Sequence, residues 1–170
     1  MPSSNLGDVI THYGMVPFDL PALVREVEGI PMPEWVFRGD PESYKTTSIQ
    51  YGSPKFPRPM VDELLAGLEK YLTPGYTNRV LLSCIPAGEE ILPHTDDFGG
   101  AVRSRSYHCH IPLITAPEIV MGFPERDIEF HMEPGHLYSI DETEKHYVKN
   151  PTRIDRVHLL FAYFPHKGKQ

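Results

Sequence analysis

The segment Leu92-Pro93-His94-Thr95-Asp96-Asp97 places an imidazole and a carboxylate two residues apart. Side chains alternate along an extended chain, so His94 and Asp96 are expected on one face. One nitrogen and one oxygen donor side by side are half of a mixed metal site. A further histidine would complete a two-histidine, one-carboxylate triad, which leaves open positions on Fe(II). Alone the pair carries little weight, because a chain with nine histidines produces such pairs by chance.

The context lies further along the chain. His146 stands in Glu144-Lys145-His146-Tyr147-Val148-Lys149-Asn150, a strand-like stretch beyond the Glu133-Pro134-Gly135 turn. Arg156 follows ten residues later, within Ile154-Asp155-Arg156-Val157-His158-Leu159-Leu160-Phe161. There Ile154, Arg156, His158 and Leu160 share one face, and Val157, Leu159 and Phe161 the other. An arginine facing inward from so apolar a strand requires an anion, and its planar fork suits a carboxylate. The alternative is a rim arginine paired with Asp155 or Glu144. By the same alternation Arg79, Leu81, Ser83 and Ile85 share a face, as do Ser106, His108, His110 and Pro112.

These residues need a scaffold of short strands, and the sequence offers one. From Tyr76 onward the apolar period is two, with strands expected at 78–86, 105–114, 118–122, 127–132, 136–140, 145–149 and 154–163. Pro86-Ala87-Gly88, Asp97-Phe98-Gly99-Gly100, Glu133-Pro134-Gly135 and Asn150-Pro151 separate them. Such a series without intervening helices implies a mainly β fold, most simply a double-stranded β-helix, or jelly roll. Two helices are expected earlier, one starting at Asp19 with a Leu20, Leu23, Val24, Val27 stripe, the other from about Pro59 to Leu72. They would cover the outer face of one sheet. The 170 residues are read as one domain, with 1–75 a mixed α/β supporting segment and 76–166 the jelly-roll core.

Composition narrows the class. With 40% hydrophobic and 23% charged residues the chain is an ordinary globular one. No apolar run approaches a membrane-spanning length, and the N-terminus lacks a secretory pattern, so a cytoplasmic location is expected. A net charge of −7 without a basic, aromatic-interleaved cluster argues against nucleic acid as partner. Cys84 and Cys109 fall inside apolar strands and read as buried thiols. His12, His131, His136 and His166 are expected to be uninvolved in the chemistry, with His131 and His136 facing solvent or lining the mouth. Trp35, Phe37, Tyr44, Tyr51 and Phe56 are read as packing against the sheet, or as part of a lid with the Asp97–Arg105 loop.

His94-x-Asp96, the distal His146 in a His-x-Val-x-Asn stretch and Arg156 ten residues on resemble the aspartyl/asparaginyl β-hydroxylase branch of the Fe(II)/2-oxoglutarate oxygenases. The resemblance covers roughly Arg79 to Pro165. It implies that His94, Asp96 and His146 ligate Fe(II), and that Arg156 binds the far carboxylate of 2-oxoglutarate, with O2 as the third reactant. Ser83, eleven residues before His94, and His110, in His110-Ile111-Pro112-Leu113, stand where that branch contacts the co-substrate. Where the branch often carries an arginine, this chain has His108; with Arg103 and Arg105 it forms the candidate substrate-contact set. The implied activity is hydroxylation of an amino-acid-like small molecule or a peptidyl side chain, with release of succinate and CO2. Two rivals stand beside it. A cupin-type metalloenzyme would recruit His108 or His110 as ligands, and a non-enzymatic jelly-roll module would bind a ligand without iron.

Overall fold

In the computed structural model, residues 4–6, 9–38, 46–96 and 106–166 are described, and the expected alternation becomes two facing antiparallel sheets. The strands in chain order are β1 (Ser4–Leu6), β2 (Ile10–Met15), β3 (Val36–Arg38), β4 (Thr46–Gln50), β5 (Gly75–Ile85) and β6 (Glu90–His94). They continue with β7 (Tyr107–Ile114), β8 (Val120–Phe123), β9 (Ile128–Phe130), β10 (His136–Ile140), β11 (His146–Lys149) and β12 (Arg156–Pro165). The larger sheet runs β1-β2-β10-β7-β12-β5-β4-β3 and the smaller β6-β11-β8-β9. This is the expected jelly roll, extended by four strands from the N-terminal part that the sequence pattern did not reveal.

Helix α1 (Leu20–Glu28) starts where Asp19 accepts a hydrogen bond from the Ala22 N–H at 3.0 Å and a proline occupies the first turn. Gly29 ends it, and Leu23 and Val27, one turn apart, are its buried face. Helix α2 (Arg58–Ala66) also carries a proline in its first turn, buries Val61 and Leu64, and passes into a 3₁₀ turn, Gly67–Lys70, that buries Leu68. The expected helix to Leu72 is therefore shorter and tightens at Gly67.

Both helices pack on the outer face of the larger sheet, in one core with Leu82, Cys84, Cys109, Ile111, Val157, Leu159 and Phe161. The alternate residues of β5, β7 and β12 therefore face the smaller sheet, the side on which the site lies. A second cluster, including Ile10, Ile85, Ile91, Met121, Phe123, Tyr138 and Val148, joins residues of the two sheets. Burial pushes the Cys84 thiol up to about 11 and raises that of Cys109 further, so both are unreactive at neutral pH.

The aromatic residues of the N-terminal part divide. Phe56 is buried, Trp35 and Tyr51 pack against the helix-covered core, and Phe37 is exposed; Tyr44 lies outside the described residues. His131 and His136 are both partly exposed, and each has a defined partner. His131 is half-buried and bonds the Ile119 carbonyl through Nδ1 at 3.0 Å. His136 stacks on His12, with His136 Nδ1 2.8 Å from His12 Nε2. Ladder geometry between β2 and β10 brings this pair together, a contact the local sequence does not encode.

One buried side chain fixes the connection between β11 and β12. Asn150 donates through Nδ2 to the carbonyls of Ile85 (3.1 Å), Pro86 (3.2 Å) and Ile154 (2.8 Å). Its Oδ1 accepts from the Thr152 N–H (3.2 Å) and hydroxyl (2.6 Å). Replacing it by alanine strips three carbonyls and two donors of this partner. Asn150→Ala is expected to lower unfolding stability by about 2–4 kcal/mol, read from denaturant midpoints.

Candidate active site

His94 is the last residue of β6, and His146 the first of β11, and the two are directly paired across the small sheet. The ring centroids lie 4.5 Å apart. In each ring Nδ1 faces a carbonyl, Leu92 O at 2.8 Å for His94 and Glu144 O at 2.9 Å for His146. A carbonyl only accepts, so Nδ1 carries a proton in each ring, and Nε2 is the atom left to meet the carboxylate or, once deprotonated, a metal. Both Nε2 atoms converge on the Asp96 carboxylate, at 3.4 Å from His94 and 3.3 Å from His146. Asp96 lies beyond the strand end and is held by its N–H to the Glu142 carbonyl at 3.0 Å.

Burial opposes charge on Asp96, but hydrogen bonds from His146 and His94 override it and hold the carboxyl far below the usual range. Burial likewise disfavours protonation of His94, yet the Asp96 carboxylate and the Leu92 carbonyl outweigh it and move its pKa up. The donor set, two imidazoles and one carboxylate with their ligating atoms within 4.8 Å of one another, fits a divalent transition metal.

The larger sheet presents a second group opposite these donors. Arg156 opens β12 and is 3% exposed, with His158 (2%) two residues on and His110 (4%) on neighbouring β7. His110 Nδ1 and His158 Nδ1 are 3.4 Å apart, so one donates to the other. Burial first, and the neighbouring cationic groups next, hold both imidazoles well below their ordinary pKa. They are therefore neutral beside a guanidinium. His110 Nε2 is buried with no hydrogen-bond partner among the described residues. An orphaned polar atom costs free energy unless something arrives to meet it, which fits a missing polar ligand. The free space at Arg156 itself is small, a void of about 10 Å³ lined also by Met121, Met132 and Val148. A ligand reaching Arg156 requires the flexible Met121 and Met132 thioethers to yield.

A larger cavity of about 390 Å³ adjoins the triad and is lined by Asp96, Ser83, His108, Glu142 and part of β12. Ser83 faces it as expected, its hydroxyl 3.3 Å from that of Thr46 on β4. Sequence reasoning missed Glu142, which pairs with His108 Nδ1, and the β4 residues Thr46, Ser48 and Gln50. The signal was present, since Thr46, Ser48 and Gln50 alternate at strand period, but Glu142 gave none. Asp96, His108 and Glu142 also lie within reach of a common ion. Arg103 and Arg105, and the loop carrying them, lie outside the described residues. No helix among the described residues is long and apolar enough to cross a membrane.

Comparison with known proteins bears on the fold and the family. A prolyl-4-hydroxylase of Pseudomonas putida superposes with a TM-score of 0.60 at 18% identity, over 93% of each chain. SnoN, a non-haem α-ketoglutarate-dependent epimerase of nogalamycin biosynthesis, superposes with 0.65 at 15% identity, over 92% of this chain and 78% of that one. A 2OG-Fe(II) oxygenase family oxidoreductase from Burkholderia pseudomallei gives 0.61 at 16%, over 88% and 80%. At these identities the likeness establishes the jelly-roll fold. No curated protein sequence matches the chain. The aspartyl/asparaginyl β-hydroxylase profile matches residues 57–165, a span that runs from the start of α2 through β12 and includes all three converging donors. The chain belongs to the aspartyl/asparaginyl β-hydroxylase family.

Proposed function

We propose that this protein is an Fe(II)- and 2-oxoglutarate-dependent oxygenase, with His94, Asp96 and His146 holding iron. The observation that carries the reading is the pair of carbonyl-clamped imidazoles whose Nε2 atoms converge on one ionised carboxylate. Arg156, with His110 and Ser83, is proposed to receive 2-oxoglutarate. Iron with 2-oxoglutarate supplies the activation of O2 that oxidises a substrate C–H bond, with release of succinate and CO2. The chain's own part is to hold and exclude. The Leu92 and Glu144 carbonyls keep both rings in the ligating tautomer, and the buried guanidinium offers a fork to the co-substrate carboxylate.

The substrate is proposed to be a small, amino-acid-like molecule or a peptidyl side chain lying in the 390 Å³ cavity. His108 is then a cavity wall paired to Glu142, and hydroxylation is the proposed outcome. The same fold hosts an epimerase as well as hydroxylases, which is why the reaction type needs its own assay. The whole chain is proposed to act as one domain. A cytosolic setting, which keeps thiols such as Cys84 and Cys109 reduced, suits ferrous iron. The cupin-type rival is disfavoured because neither His108 nor His110 groups with His94 and His146 around a common point.

The test is anaerobic visible spectroscopy. Addition of Fe(II) and then 2-oxoglutarate to the metal-free protein is expected to produce a weak, saturable charge-transfer band. Iron that binds but ignores 2-oxoglutarate would return the cupin-type reading, and no iron binding would leave the ligand-binding module.

A further inference from the structure

We propose that Arg79 is a specificity-determining residue that binds the carboxylate of an amphipathic acid substrate across the cavity from the metal donors. The inference rests on the oxygenase reading and names the substrate class of the same site. Four observations carry it.

The first is backbone conformation. Arg79 has φ 53°, one of two non-glycine residues with positive φ among the described residues. It lies where β5 bulges against β12. Leu81 pairs with Leu160 and Asn78 with Ala162, so Arg79 and Val80 together oppose the single residue Phe161. The Asn78 side chain accepts the Arg79 N–H at 2.8 Å and holds this turn of the chain. Glycine would adopt the conformation without strain. An arginine kept there, re-aimed by the bulge into the cavity wall, points to use of its side chain.

The second is what stands next to it. Gln50 pairs in register with Leu81, and Ser48 with Ser83, so an amide, a hydroxyl and the guanidinium form one polar edge along β4 and β5. Ser48 is 4% exposed, lines the cavity, and its hydroxyl has no hydrogen-bond partner among the described residues. The guanidinium and the Gln50 amide are the donor set for a carboxylate, and the Ser48 hydroxyl, whose register partner Ser83 lies four residues along β5 from Arg79, continues the polar edge further along the cavity.

The third is the floor. Leu160, Ala162 and Phe164 of β12 form an apolar strip between this edge and the metal side, with the small Ala162 at its centre. The fourth is position. Ala162 pairs with Asn78 on one side and with His108 on the other. Arg79 therefore stands about two strand spacings, roughly 10 Å, from His108. A ligand whose carboxylate rests on Arg79 lays its apolar body over Ala162 and brings a carbon several bonds away toward Asp96. Arg79 also borders a neighbouring depression containing Asp62, the acid that a purely structural arginine would serve.

The probes are two acid and amide pairs, hexanoate with hexanamide and norleucine with norleucinamide, measured by calorimetry on metal-free protein and on protein loaded anaerobically with Fe(II) and 2-oxoglutarate. Each acid is expected to bind about tenfold or more tighter than its amide. A preference shown only by hexanoate assigns a simple fatty acid; one shown by norleucine assigns an amino acid α-carboxylate. Arg79→Gln should abolish the preference and Arg79→Lys retain part of it. Arg79→Gly should abolish it with an unchanged or raised melting temperature, because glycine relieves the backbone. The proposal is overturned if neither acid binds, if acids and amides bind alike, or if the preference survives Arg79→Gln. A fall of several degrees in Arg79→Gly would equally overturn it, assigning the side chain to the fold. Calorimetry on metal-free protein reads the preference without iron, so failure of the charge-transfer band and failure of this inference are separate results.

Discussion

Asp96→Ala is expected to remove iron-dependent turnover altogether while the strands remain in place. The carboxylate is the one anionic donor between His94 and His146, and both Nε2 atoms converge on it. Loss of a group that merely orients a ligand costs about 10–100-fold in metal affinity, so loss of a ligand should exceed that range. Anaerobic Fe(II) binding and succinate release measure the effect, and circular dichroism checks the fold. Full coupled turnover in the variant would dismiss the triad. A pH dependence accompanies this in the metal-free protein. Because Asp96 has a folded pKa below its unfolded value near 4, its contribution to stability is complete above about pH 4 and is lost as pH falls through the folded value. The metal-free wild type should lose that increment in acid, and Asp96→Ala should have none to lose.

Arg156→Ala should leave iron binding intact and weaken 2-oxoglutarate by about 30- to 3,000-fold. That range corresponds to about 2–5 kcal/mol for one partner of a buried charge pair. The residue is 3% exposed beside two neutral imidazoles, so no mobile surface cation can replace it. The readouts are the 2-oxoglutarate concentration at half-maximal charge-transfer intensity and the KM for succinate release. An unchanged affinity would move the co-substrate carboxylate away from Arg156, toward the Ser83 and Thr46 hydroxyls that line the larger cavity.

The second half of the chain was largely legible because its alternation is local. Val157, Leu159 and Phe161 went to the helix-covered core and Arg156 and His158 to the interior, as period two requires. The first half hid its strands for a physical reason. Strand β4 turns Thr46, Ser48 and Gln50 toward a polar cavity, so its apolar signal is diluted, and its partner β5 begins 25 residues after β4 ends. β2 is likewise recognisable only beside β10. His94, Asp96 and His146 were readable as proposed donors from residue type and spacing, but the carbonyl clamps on the two histidine rings were not. Those clamps depend on the backbone path at Leu92 and Glu144. The His108–Glu142 pair was invisible because it joins residues 34 apart through the meeting of β7 with the end of β10.

The hydrogen-bonded hub at Asn150 makes the interval between His146 and Arg156 behave as a ruler of fixed length. Suppose one residue were inserted between 154 and 156. If the five hydrogen bonds of Asn150 held, β12 would slip by one position against β5, and the two-residue repeat would turn Arg156 to the face beneath the helices while Val157 entered the site. If β12 kept its register instead, the hub would have to break and release the Ile85, Pro86 and Ile154 carbonyls. Either way His146 and Arg156 lose their common gauge, so an insertion here is expected to be tolerated worse than one in a connection elsewhere.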